Sequence, residues 1–381
     1  MKKKKILFFV AHPELDAGSR YRVYQFRPYL ERAGYECVIA PFSSPILFQL
    51  LRTKGQLPRK IYEMLICTLR RTVQISAASK YEVVVINREV FPFLMPLWER
   101  AVLRRNRRVV FGFDDAVYSN HPDVSSFRHP LLYRFKYGRG VDEVMKRSAC
   151  IIAGNRILGE YARRFNENVT VIPTVVDCEY YRYRDVDPDE EGVRPVVVGW
   201  MGSPSTAPYL SMVESALTRL SEKYSGRVQY RFFGCPEYQP QLPESLSLPF
   251  VLSSEIKDLH SLDIGIMPMP DTEWTRGKCA FKAIQYMATG AVAVASPVGV
   301  TTDLIRDGEN GLLAQTPDEW FAALSRLVSD TQLRRSISRR ARQTIIEGYS
   351  LQKWGPIYTE LLTGLAADTQ ACAGTEVLLG A

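Results

Sequence analysis

The stretch TRGKCAFKAIQYMATGAVAVASPVG, Thr275–Gly299, reads as a turn, a short helix closed by Gly290 and an apolar strand. A helix running straight into a β-branched strand is the repeating piece of α/β proteins, so the fold turns on whether the chain repeats it. The same stretch carries an electrostatic conflict. Arg276, Lys278 and Lys282 crowd the start of the helix, where the macrodipole already leaves positive partial charge. A bound anion resolves the conflict.

Working outward, the pattern does repeat. Upstream lie the apolar runs VVVGWMG, VQYRFFG, LPFVLSS and DIGIMPMP, and downstream NGLLAQT, with helical segments such as LSMVESALTRLSEKY between them. The first half reads the same way through KILFFVA, YECVIAPF, YEVVVIN, RVVFGFD, CIIAGN and VTVIPTV. In YRVYQFRPYLERAG, Val23, Phe26 and Leu30 share a helical face before Gly34 stops it. The halves are separated by DCEYYRYRDVDPDEEGVRP, residues 177–195, which is polar and lacks apolar periodicity. It reads as a linker, or alternatively as a surface loop of a single domain. The expected architecture is α/β, with two Rossmann-like doubly wound domains over 1–176 and 196–350 facing each other across a cleft. A helix at about 351–365 and a flexible tail at 366–381 complete it. Ligands of such sheets bind outside the carboxyl ends of the strands, so functional residues belong in the loops that follow them.

A chain of 381 residues is too long for one compact core. With 46% hydrophobic and 24% charged residues it is globular, and no apolar run approaches the ~18 residues of a membrane span. The basic start and the run Ile6–Ala11 imitate a signal peptide. That run is shorter than the ~7–15 residues of a signal core and no small-residue cleavage site follows. It reads as a first strand, and a cytoplasmic location is expected, with peripheral contact at the inner face of the membrane as an extension. Seven cysteines and four histidines are scattered without a CxxC pair or a Cys/His cluster, so neither a zinc site nor a disulfide framework is expected. The net charge of +8 suits a nucleotide phosphate, an anionic membrane or a nucleic acid. Nucleic acid is the weakest of these, for lack of a finger or an aromatic RNP-like strand.

Four stretches carry candidate chemistry, each with a plain structural reading beside it. In DAGSRYR, Gly18 and Ser19 sit where helix-start amides hold an anion or a sugar hydroxyl, and Arg20 and Arg22 add charge; otherwise Ser19 is an ordinary N-cap. In FDDAVY, Asp114 and Asp115 follow a strand and can orient hydroxyls or act as a base; otherwise they cap a helix. In GWMGSPSTAPYL, Gly202, Ser203, Ser205 and Thr206 offer amides and hydroxyls to phosphate, or form a turn shaped by Pro204. A Walker loop is excluded because no GK[ST] follows. In the opening stretch Lys278, Lys282 and Gln285 are spaced by four and three, placing them on one helical face beside Phe281, Ile284 and Ala288. That basic face meets a diphosphate, or is a solvated face on a core helix.

Together these motifs resemble a GT-B glycosyltransferase, similar to the retaining family 4 group. The resemblance runs from about Lys5 to Leu362. It rests on GSRYRVYQFRPYLERAG, FDDAVY, AGNRILGEYARRFNENVTVIPTVVD, GWMGSPST, DIGIMPMPD, RGKCAFKAIQYMATGAVAVASPVG and IRDGENGLL. It implies a nucleotide-sugar donor on the C-terminal domain, an unidentified acceptor on the N-terminal domain, and a last helix, KWGPIYTELL, crossing back. It also implies no metal, no cofactor beyond the donor, and transfer with retention assisted by the leaving-group phosphate. Carried over, Gly202, Ser203, Ser205, Thr206, Lys278, Lys282 and Phe281 serve the donor, Gln285 its ribose, and Asp114 the transferring sugar or acceptor. Gly18, Ser19, Arg20 and Arg22 form an acceptor or phosphate loop.

The chain departs from that pattern in three places. The family's Glu-x7-Glu pair falls on Gly277 and Gln285, its Arg/Lys phosphate pair is replaced by GSPST, and its usual His stands as Asp114. A sugar-nucleotide epimerase of the same fold and a catalytically silent nucleotide-sugar binder therefore remain alternatives. The apolar and basic stretch 45–74 either docks on an anionic membrane or forms a helical pair with an ordinary basic face.

Overall fold

A computed structural model of the chain describes residues 4–51, 53–91, 96–119, 139–184 and 194–367. It divides into two units, Met1–Thr174 with Trp354–Ala381, and Val175–Lys353. In the first unit a six-stranded sheet runs β2-β1-β3-β4-β5-β6, formed by Lys5–Val10 (β1), Glu36–Pro41 (β2), Val83–Asn87 (β3), Val109–Phe113 (β4), Cys150–Ala153 (β5) and Val169–Val171 (β6). All of its pairings are parallel. The central strands are buried along their whole length, as continuous β-branched runs between two helix layers should be. Helices used below are Ala17–Arg22 (α1), Pro45–Leu51 (α2), Leu57–Ser76 (α3) and Leu97–Leu103 (α4). The single helix expected over YRVYQFRPYLERAG is broken: α1 ends at Val23, whose φ is −133°, and a new helix starts at Arg27 with Pro28 in its first turn.

The second unit repeats the plan with the order β12-β11-β10-β7-β8-β9. Its strands are Val196–Met201 (β7), Val228–Phe233 (β8), Ser245–Leu248 (β9), Ile264–Met267 (β10), Val292–Ala295 (β11) and Leu312–Leu313 (β12), again all parallel. The strand expected at LPFVLSS lies earlier, because Pro249 supplies no ladder donor and residues 252–254 form a tight turn. The unit's helices include Glu255–His260 (α5), Glu273–Arg276 (α6), Phe281–Thr289 (α7), Thr331–Gly348 (α8) and the start of Leu351–Ala366 (α9). From Trp354 onward α9 belongs with the first unit, where Tyr358 stacks on Phe26 at 4.3 Å. Residues 185–193 of the stretch read as a linker, and 368–381 of the stretch read as a tail, lie outside the described residues. Arg184 and Arg194, on either side of the first gap, both pair with Asp263 at 2.9 and 2.7 Å.

In both sheets the winding reverses once, between β1 and β3 and between β7 and β10. Loops leaving neighbouring strands in opposite directions open a crevice at their carboxyl ends, and this is where each sheet can bind a ligand.

Candidate functional site

At the second unit's reversal the loop after β7 meets the start of α7. A Cβ built on Gly202 would stand 2.2 Å from the Trp200 ring and 2.6 Å from Lys282 Cε. The lysine stem therefore lies across the glycine, with its ammonium 5.6 Å from the centre of the Trp200 ring. Gly234, after β8, has φ +99°, and a Cβ there would strike the Gly202 carbonyl at 1.8 Å. Gly299, after β11, likewise abuts the Arg276 carbonyl. At Gly234 and Gly299 the missing side chain lets one backbone segment approach another. Tyr286 locks the arrangement: it packs on Gly265, and its hydroxyl accepts from Met201 N at 2.9 Å.

Ser203 and Ser205 are exposed, with hydroxyls 2.8 Å apart. The Thr206 hydroxyl donates to Ser203 O at 3.2 Å and shapes the turn. Lys282 is in the first turn of α7, with Phe281 half-buried beside it. The expected helix beginning with Arg276 and Lys278 is two helices. Gly277 ends α6, and Ala280 enters α7 with φ +51°. Lys278 thus sits in the link with its ammonium 5.3 Å from the centre of the Trp274 ring, outside the helical face it was expected to share with Lys282. Arg276 pairs with Asp271 at 2.6 Å. Gln285 is turned inward, 4% exposed, and donates to Glu255 Oε1 at 2.9 Å and to the Tyr181 hydroxyl at 3.2 Å. Its nitrogen is committed to the interior rather than presented to a ribose.

At the first unit's reversal the loops after β1, β3 and β4 gather charge. Asp16, not Ser19, caps α1, accepting from Ser19 N at 3.0 Å; Ser19 is buried. Arg20 donates to the Tyr21 hydroxyl at 2.7 Å. Arg22 is buried and donates to Ile172 O at 2.9 Å, which ties α1 to the chain beyond β6. Arg88, which the sequence reading passed over, stands at the centre. It has φ +68°, uncommon for a residue with a side chain and costly enough to need surrounding support. Its guanidinium pairs with Asp115 at 3.1 Å and Asp114 at 3.9 Å, and lies 3.9 Å from a Cβ built on Gly18. Burial pushes the Asp114 carboxyl above its ordinary range; Arg88 and Arg22 oppose that rise while Asp115 and Asp16 reinforce it. The only signal in the sequence is a charged residue directly after the strand Val83–Asn87.

Residues 196–330 match the family model described as Glycosyl transferases group 1. Among curated proteins none matches the chain by sequence. Solved structures do match its fold. HepE of Anabaena, in complex with UDP and glucose, superposes with a TM-score of 0.67 over 95% of this chain and 100% of its own, at 15% identity. A glycosyltransferase of Rickettsia africae gives 0.67 over 97% and 100%, also at 15% identity. A sucrose-phosphate synthase of Thermosynechococcus elongatus gives 0.68 over 96% and 100%, at 14% identity. Two parallel six-stranded sheets of this order, together with these superpositions, give the chain the GT-B fold, and its residues 196–330 are similar to the group 1 glycosyl transferases.

Proposed function

We propose that the chain transfers a sugar, with retention and without a metal, from a nucleotide diphosphate sugar to an acceptor hydroxyl. The observation that carries this reading is Lys282 lying across Gly202 at the winding reversal of the second sheet, within the residues that match the group 1 model. There the ammonium can neutralise a departing diphosphate where charge develops. Lys278, Ser203 and Ser205 extend the same donor site, and Asp114 with the α1 loop offers polar groups to the sugar or acceptor. In the transfer, the bond from the anomeric carbon to the diphosphate breaks and a bond to the acceptor oxygen forms on the same face. The hydroxyl proton passes to a phosphate oxygen. UDP-glucose is the first donor to test, since a structural neighbour is described as a complex with it.

A silent nucleotide-sugar binder is the second reading, favoured by the inward turn of Gln285 onto Glu255. One experiment separates the two. Thermal unfolding with UDP-glucose should shift upward by mass action in either case. Only the transferase consumes the donor, and there Lys282→Ala should lower turnover about tenfold or more, about 1.4 kcal/mol in barrier. Donor binding without any hydrolysis or transfer establishes the second reading, and turnover untouched by Lys282→Ala removes the lysine from the mechanism.

A further inference from the structure

The helix α3 is amphipathic the wrong way round for a solvated surface helix. Its inward line, Cys67, Arg71 and Ile75, is buried, and it includes a guanidinium that donates to Val10 O at 3.1 Å and lies 4.7 Å from the Phe9 ring centre. Its outward arc, at 3.6 residues per turn, runs through Ile61, Tyr62, Leu65, Ile66, Leu69 and Val73. All six are exposed, reaching 62% at Tyr62, 69% at Leu69 and 70% at Val73. No charged residue interrupts that arc. Single exposed apolar residues are ordinary, but six on one helical face form a patch of the kind that marks an interaction surface.

The charge around the patch selects the partner. Between Pro45 and Ser76 the sequence holds six basic residues and one acid, of which Arg71 is buried and Arg70 donates to the Pro41 and Phe42 carbonyls. Lys54 and Arg59 are exposed near the start of α3, while the acid, Glu63, accepts from Ser44 Oγ at 3.0 Å and so faces the α2 side. We infer that α3 docks on an anionic lipid surface, sinking its apolar arc to the acyl boundary while the basic rim meets headgroups. A second copy of this chain is disfavoured because it would set one basic rim against another. Among the described residues no helix is long and apolar enough to cross a membrane, so the contact is one of docking. The inference stands apart from the transferase reading, since vesicle binding requires no donor.

The test is co-sedimentation of the full chain with vesicles of phosphatidylcholine alone and of phosphatidylcholine mixed with phosphatidylglycerol. Wild type should bind the mixed vesicles, less so as salt rises. The double variant Leu65→Glu, Leu69→Glu should lose that binding by about tenfold or more, with an unchanged unfolding midpoint because both positions are exposed. Equal binding to neutral vesicles, or binding to neither, overturns the inference. So does a wild-type dimer that the double variant renders monomeric while vesicles bind nothing, which would give the face to a second copy.

Discussion

Lys282 Cε lies 2.6 Å from where a Cβ on Gly202 would be, and the Trp200 ring closes the other side at 2.2 Å. The glycine is therefore a space requirement imposed by a lysine that arrives from a different part of the chain. Its conformational freedom has no part in this.

Gly202→Ala tests that requirement. The added methyl meets a buried indole on one side and a lysine stem on the other, and the lysine is the part that can move. Overpacking costs of about 1–3 kcal/mol are typical, so the unfolding midpoint should fall modestly. Donor turnover should fall further, toward that of Lys282→Ala. A variant that loses stability but keeps full turnover would detach Lys282's position from the chemistry.

Tyr286→Phe probes how the loop is held. The fully buried hydroxyl accepts from Met201 N and donates to Ile266 O. Deleting it leaves a buried N–H unpaired at the end of β7, a loss of about 1–3 kcal/mol. Urea unfolding should show that loss, and nucleotide-sugar affinity should weaken because the Gly202 loop is no longer tied to β10. Full affinity in a destabilised variant would show that the tie serves stability alone.

Arg88→Gly separates strain from function. Glycine accepts φ +68° while the guanidinium is lost, so relief of about 1–3 kcal/mol of strain offsets the lost pairing with Asp114 and Asp115. Asp114 then loses the cation that chiefly opposes its upward shift. Its carboxyl should protonate at higher pH than in wild type, moving the acid limb of the pH–rate profile upward. Donor affinity should be unaffected. An unmoved acid limb would remove Asp114 from the rate-controlling ionisations.

Glu99, on α4, gives the chain a pH-dependent stability. Burial raises its carboxyl from 4.5 to about 7, a shift only partly offset by the backbone N–H groups of Val90 and its neighbours. Because the folded state holds the proton more tightly than the unfolded one, this contribution is complete below about pH 4.5 and is lost as pH rises through 7. The difference amounts to about 3 kcal/mol. The buried Arg71, itself pushed down to about 9 mainly by desolvation, is among the charges that act on this part of the unit. Glu99→Gln removes the titration, so between pH 5 and 8 its stability should change less than wild type's, measured by urea unfolding at each pH. Parallel pH profiles would rule out Glu99 as the source.

The repeated strands were legible because a β-branched run between helical stretches announces itself locally. Boundaries moved where a single residue intervened: Pro249 shortened a strand, Gly277 and Ala280 split one expected helix into two, and Val23 with Pro28 broke another. The candidate loops were legible as strand followers, but their partners were not. Ser19 reads as an anion contact or a cap, and in the fold Asp16 caps the helix by accepting from its N–H. Spacing presents Gln285 to a ligand, whereas in the fold Glu255, thirty positions upstream, holds its amide nitrogen. Arg88 carried only the signal of a charge just beyond a strand, since its role comes from φ and from carboxylates in the loop after β4.

By itself the sequence determined the alternation of strands and helices and the concentration of glycine, hydroxyl and charge after the strands. These follow from residue type and spacing along a local stretch. Only the tertiary structure decided which side chains meet: Lys282 over Gly202, Arg88 between Asp114, Asp115 and the α1 loop, Gln285 on Glu255, and the leucines of α3 outward with Arg71 inward. The physical reason is that periodicity names the faces of an element, whereas the winding of each sheet sets what each face packs against.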